Sequence, residues 1–103
     1  MKSKQKIREN FRTVVFTRDH FTCVFCNRKD NLDAHHITDR NSDIFENGGY
    51  VLENGITLCP DHHLMAEKYH QTNGEEWFEG FHPEDLYKKI KSSKVLAMKK
   101  DKK

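Results

Sequence analysis

The chain has 103 residues, 35% of them hydrophobic and 33% charged, which allows one domain with a small core. Its longest apolar runs, Val14-Val15-Phe16 and Val95-Leu96-Ala97-Met98, are far too short to span a bilayer, and residues 1–10 lack the apolar stretch of a secretory signal, so a cytoplasmic protein without a membrane partner is expected. The net charge of +2 conceals a segregation: six Lys/Arg against two acids in residues 1–20, four against thirteen in 21–87, and eight against one in 88–103, a pattern in which basic ends could grip a polyanion and an acidic middle could hold cations.

Ile7, Phe11, Val14 and Val15 recur at helical spacing and predict an amphipathic helix over residues 7–18. Asp19-His20 ends it, and Phe21-Thr22 leads into the pair Cys23-Val24-Phe25-Cys26. Residues 31–37 read as a short strand, followed by a polar loop to about residue 53 that contains the turn signal Asn47-Gly48-Gly49. Asn54 to Leu58 should return as a second, antiparallel strand. Pro60 and Asp61 suit the first turn of a helix that runs to about Gln71 and stops before Asn73-Gly74. Trp77, Phe78 and Phe81 are expected to pack back on this unit, and Pro83-Glu84-Asp85 opens another helix carrying Leu86, Tyr87 and Ile90. Residues 99–103 are expected to be a disordered basic tail.

Three cysteines are an odd number for a closed disulfide framework, and a Cys-x-x-Cys pair with one distant Cys beside histidine suits zinc better. Cys59 and His62 repeat the spacing of Cys23 and Cys26, so the two halves can complete a tetrahedral Cys3His site. Thirty-two residues lie between Cys26 and Cys59, and a metal closing that loop would staple the chain's two halves together.

The segment so closed holds a second constellation. His35 and His36 adjoin at the end of a strand, so their side chains point in different directions. One can hold a metal while the other faces an attacking water, since a neutral imidazole can accept its proton. On the helix His62 and His63 are roughly 100° apart, which lets His62 turn to the zinc site and His63 turn to the strands where His35 lies. Glu67, one turn beyond His63, is read as a solvated helix residue. His70, His20 and His82 are given no role, the last two being turn or cap residues.

The order His35-His36, then Gly48-Gly49, then Asn54, then Leu58-Cys59-x-x-His62-His63, with Cys23-x-x-Cys26 upstream, resembles the HNH endonucleases over roughly residues 11–70. That resemblance implies an α+β fold: a small zinc-stapled ββα-metal (His-Me finger) domain with flanking N- and C-terminal helices, residues 1–103 forming a single domain. It makes His35 and His63 ligands of a catalytic divalent cation, His36 the general base, and Asn54 the residue that braces the loop so that the base is oriented. Many members have a fourth Cys where this chain has His62.

The function implied is metal-dependent endonucleolytic hydrolysis of double-stranded DNA, leaving 5′-phosphate and 3′-hydroxyl ends. A single copy nicks one strand, and the expected state is a monomer or weak dimer. The resemblance suggests Mg2+ or Mn2+ beside the structural Zn2+, while two imidazole ligands favour Mn2+ or Ni2+. Arg40, just after the base, is a candidate phosphate contact, and Lys2, Lys4, Lys6, Arg8 and the Lys88–Lys103 cluster could add others. Small proteins of this type occur in phages and prophages, some beside a DNA-packaging terminase and others as mobile or restriction-type nucleases. The alternative is a non-catalytic zinc-binding DNA or protein interaction module, which has no need of His35, His36, Asn54 and His63 together. RNA is the rival substrate.

Overall fold

Ser3 accepts a hydrogen bond from the Lys6 backbone N–H and opens α1, Lys4–Arg18, in a computed structural model that describes residues 3–102. The chain then runs through β1 (Asp33–His36), a single 3₁₀ turn (Leu52–Asn54), β2 (Gly55–Leu58), α2 (Pro60–Gln71), α3 (Pro83–Lys89) and α4 (Lys94–Asp101). The architecture is α+β. Its two strands are antiparallel, with Asp33 opposite Leu58 and His36 opposite Gly55, and α1 and α2 pack against them. No helix among the described residues is long and apolar enough to cross a membrane.

The helix α1 starts earlier than the apolar spacing suggested and turns a slightly different face inward. Phe11, Val15 and Phe16 are buried, whereas Val14 is 45% exposed. The reason lies at Gly55, where a Cβ would come within 2.3 Å of Val15 and 2.8 Å of Phe11. Backbone of β2 therefore seats directly on α1 only because position 55 has no side chain. Arg18 fixes the end of this contact, donating to the carbonyls of Leu52 (2.9 Å) and Gly55 (2.7 Å). Its partner Asp19, at 2.7 Å, accepts the Thr57 N–H at 3.1 Å.

All four residues of β2 are buried, so this strand is the spine of the core, with Ile37, Ile56, Leu58 and Leu86 among its filled positions. The connection from β1 to β2 is the long polar loop expected, and Asn54 closes it from the 3₁₀ turn rather than from within the strand. Phe81 is buried. Trp77 and Phe78 are instead about half exposed, at 47% and 43%. Trp77 forms a small surface cluster with Tyr69 and His82.

The expected disorder from residue 99 onward is corrected for Lys99 to Lys102; Lys103 lies outside the described residues. Ser93 caps α4, and Asp101 near its end is only 3% exposed. Its carboxylate accepts the backbone N–H groups of Asn47 (2.9 Å) and Gly49 (2.8 Å), while its carbonyl accepts from Asn47 Nδ2 at 2.7 Å. A basic run read by charge alone looks like a solvated tail. One acid within it anchors the helix to the loop.

Candidate active site and metal centres

The first cluster forms where the Cys23–Cys26 knuckle meets the start of α2. The knuckle is tight: Cys23 N–H donates to the Arg28 carbonyl at 2.8 Å, and Asn27, at φ 65°, returns its N–H to Cys23 at 3.0 Å. Cys59 is the N-cap residue of α2, which brings His62 round by one turn. The donor atoms of Cys23, Cys26, Cys59 and His62 all lie within 4.8 Å of one another. Cys26 and Cys59 sulfurs are 3.7 Å apart, and His62 Nδ1 lies 3.2 Å from Cys59 and 3.7 Å from Cys23.

A tetrahedral zinc with ordinary bond lengths needs sulfur–sulfur edges of about 3.8 Å and sulfur–nitrogen edges of about 3.6 Å. The cluster therefore has the donor set and size for such an ion. Burial opposes ionisation of Cys59, but the His62 backbone N–H and ring hold its thiol below the ordinary value. Phe25 stacks on His62 at 5.2 Å and Phe81 on Phe25 at 4.6 Å, with Lys89 over the Phe25 ring, so an aromatic lid covers one side.

The second cluster lies on the next face of the same helix. His35 points inward from β1 and is 2% exposed. Around it stand His63 and His70, each with its ring centre 5.2 Å away, and Glu67 Oε1, 3.2 Å from His35 Nδ1 and 3.3 Å from His63 Nε2. Asp33 approaches His63 Nδ1 at 3.4 Å. His35, His63 and Glu67 form a group able to hold a metal ion, which corrects the reading of Glu67 as a solvated helix residue. Spacing carried the signal, because positions 63, 67 and 70 fall on one face of a helix.

The His35–Glu67 distance is that of an ion pair, yet it lacks hydrogen-bond alignment, and both His35 ring nitrogens are buried without a hydrogen-bond partner. Burial accordingly pushes His35 down from its ordinary pKa. Contacts with the His35 and His63 rings hold Glu67 well below the usual carboxylate range, and Glu67 in turn raises His63. A buried imidazole with unpaired nitrogens beside an ionised carboxylate fits a divalent cation.

His36 turns to the opposite side of β1. Its ring stacks on Phe11 at 4.3 Å and meets the Tyr50 ring edge-on at 4.7 Å. Burial first, then the neighbouring His35 and Arg40, push its pKa down to about 4, so the ring is neutral at physiological pH. Its Nε2 is enclosed and without a hydrogen-bond partner; Nδ1 is not among the enclosed atoms. Its carbonyl accepts from His70 Nε2 at 3.0 Å, which fixes that nitrogen of His70 as the protonated one and ties α2 to the end of β1.

Asn54 is fully buried and all its polar capacity is used. Its Oδ1 accepts from the Thr38 N–H at 2.9 Å and the Tyr87 hydroxyl at 2.7 Å. Its Nδ2 donates to the carbonyls of Thr38 (3.0 Å) and Gly49 (3.1 Å). Since the Tyr87 proton is committed to Asn54, the 2.6 Å contact between Tyr87 and Thr38 must carry the threonine's proton. Asn54 thus grips both backbone groups of the residue two beyond His36. The spacing of motifs pointed to Asn54, but nothing in the sequence pointed to Tyr87.

A family model described as HNH endonuclease matches residues 23–71. The chain carries an HNH endonuclease domain. The matched segment takes in both ligand clusters, His36 and Asn54, and it leaves out Phe11, Tyr87 and Asp101, which hold the HNH segment from either side. No curated protein and no solved structure gave a match. The match over this segment supports a nuclease, an activity whose substrate is nucleic acid.

Proposed function

We propose that this chain is a divalent-metal-dependent endonuclease that hydrolyses double-stranded DNA, nicking one strand per active site. The observation that carries the reading is the convergence of His35, His63 and Glu67 on one point, with a neutral His36 the next residue along β1. A zinc-binding interaction module needs the Cys3His cluster but neither of these.

In this reading Cys23, Cys26, Cys59 and His62 hold a structural Zn2+, and His35, His63 and Glu67 hold Mg2+, Mn2+ or Ni2+. The bound divalent cation supplies charge stabilisation to the phosphate and to the leaving 3′-oxygen. Glu67 adds a hard oxygen to two imidazoles, which makes the donor set more hospitable to Mg2+ than the histidines alone. His36 accepts the proton of the attacking water at Nδ1, the Nε2 of the neutral ring carrying its proton. The water oxygen bonds to phosphorus, the bond to the 3′-oxygen breaks, that oxygen takes a proton from solvent water, and 5′-phosphate and 3′-hydroxyl ends result. Asn54 and His70 act on the backbone at and just beyond the base, His70 through the His36 carbonyl and Asn54 through Thr38, so that its ring keeps one direction.

Supercoiled plasmid tests the proposal. Wild type with Mg2+, Mn2+ or Ni2+ should give open circles, and His36→Ala should not, with about one zinc per chain retained in both. Retained cleavage by His36→Ala removes it from the base role. No cleavage by wild type with any of the metals returns the chain to a binding module.

A further inference from the structure

Five arginines are present, and three are engaged elsewhere or paired. Arg18 is bound to Asp19 and two carbonyls, Arg28 to Asp30, and Arg12 lies over the Phe16 ring. Arg8 and Arg40 differ. Among the described residues neither has a carboxylate within 4.0 Å, and Asp39, beside Arg40, spends its carboxylate on the Asn41 N–H at 3.0 Å.

Both instead line one groove with the phenol of Tyr50. Arg40 Nη1 donates to the Tyr50 hydroxyl at 3.5 Å, and Arg8 enters the same groove from α1. Together with Lys4, Ile7, Asn47 and Gly48 they line a groove of about 360 Å³. The other end of Tyr50 is the edge-on contact with His36, so the groove begins one ring away from the base. Two unpaired guanidinium groups and a hydroxyl facing open space make an oxyanion receptor, since the planar fork of Arg matches phosphate oxygens.

We infer that Arg8, Arg40 and the Tyr50 hydroxyl form a single phosphate subsite for a non-scissile phosphodiester of the DNA strand being cut, next to the bond that His36 addresses. The inference rests on the nuclease reading and adds to it where the strand lies: along α1 and the loop after β1, rather than over the zinc knuckle. One phosphate shared by two arginines, not two phosphates, is the specific content.

The test is the salt dependence of duplex DNA binding by the full, zinc-loaded chain. It is run in a His63→Ala background, in which cutting should be at least about a hundredfold slower, chosen because His63 lies against the opposite side of β1 from Tyr50. Arg8→Gln with Arg40→Gln should reduce the slope of log K against log salt by about 0.9, the value for one phosphate. Tyr50→Phe should weaken binding with no change of slope, because it removes a donor and no charge. Lys29→Gln, on the zinc knuckle, should leave both unchanged. Zinc content is measured in each variant.

A fall in slope of about 1.8 means two independent contacts and overturns the shared subsite, as does an unchanged slope. Either result leaves the nuclease reading standing if wild type nicks plasmid. Failure of the His63→Ala chain to bind DNA at all, with zinc retained, overturns the subsite, and the wild-type plasmid assay then judges the nuclease reading separately.

Discussion

The Cys3His cluster draws its donors from two places far apart in the chain and buries two of the four, Cys23 and Cys59, at 0% and 1% exposure. The His35–His63–Glu67 cluster takes its donors from a strand end and one helix face, and its His63 and Glu67 side chains stay about one-third exposed, at 30% and 32%. Adjacent residues, His62 and His63, serve the two. Four donors fill a tetrahedral shell and leave no position for a substrate, whereas three donors at an open edge leave coordination positions free. One residue step along α2 therefore separates a cluster suited to holding the chain together from one suited to chemistry.

Breaking the first cluster should have the largest effect. Cys59→Ser removes a buried donor from a small domain whose metal-binding free energy, about 10 kcal/mol or more for structural zinc, is also folding free energy. The variant should lose bound metal and its cooperative thermal transition, read by metal analysis and circular dichroism. A Cys59→Ser chain that melts cooperatively at the wild-type temperature would show that this cluster does not hold the fold.

His63→Ala should do the reverse. Its fold and zinc content should persist while plasmid nicking falls by at least the roughly hundredfold that loss of an outer-shell partner alone can cost. If this chain unfolds, the two clusters are not separable and the comparison fails.

Glu67→Gln sharpens the chemistry of the open cluster. It keeps the side chain's shape and removes its charge, so the metal concentration for half-maximal nicking should rise about 10- to 100-fold. The rise should be larger for Mg2+ than for Ni2+, because magnesium demands oxygen ligands while nickel accepts imidazole. Equal shifts for the two metals would assign Glu67 a merely structural part.

The smallest effect concerns residues outside the matched segment. Tyr87→Phe removes one buried hydroxyl and its bond to Asn54, and should cost about 1 kcal/mol in stability. Zinc content should be unchanged and nicking slower, measured by denaturant unfolding and single-turnover cleavage. An unchanged rate would confine the orientation of His36 to Asn54 and His70.

Much of this molecule was legible in its sequence because short-range rules govern the parts concerned. The paired x-x spacings at Cys23 and Cys59 put donors on a turn and on a helix start, geometries that neighbouring residues fix among themselves. Pro60 and Asn73-Gly74 marked α2 well, since caps and breakers act locally. The alternation that separates His35 from His36 is likewise a property of any strand.

What the tertiary structure alone decided are the contacts between distant segments. Glu67 looks like any solvated helix carboxylate until β1 brings His35 against it. The Lys-rich end looks like a tail until Asp101 is found beneath the loop at Asn47 and Gly49. Tyr87 belongs to a separate helix, and only packing sets its hydroxyl on Asn54. For Asp101 and Tyr87 one residue supplies an acceptor or donor that completes a buried polar group elsewhere, and such pairing leaves no periodic trace in either segment. The sequence by itself determined which donors exist and how each turn presents them, because that is local stereochemistry. The fold decided which of them meet, because burying an unpaired polar group costs free energy and only the assembled core sets what lies opposite it.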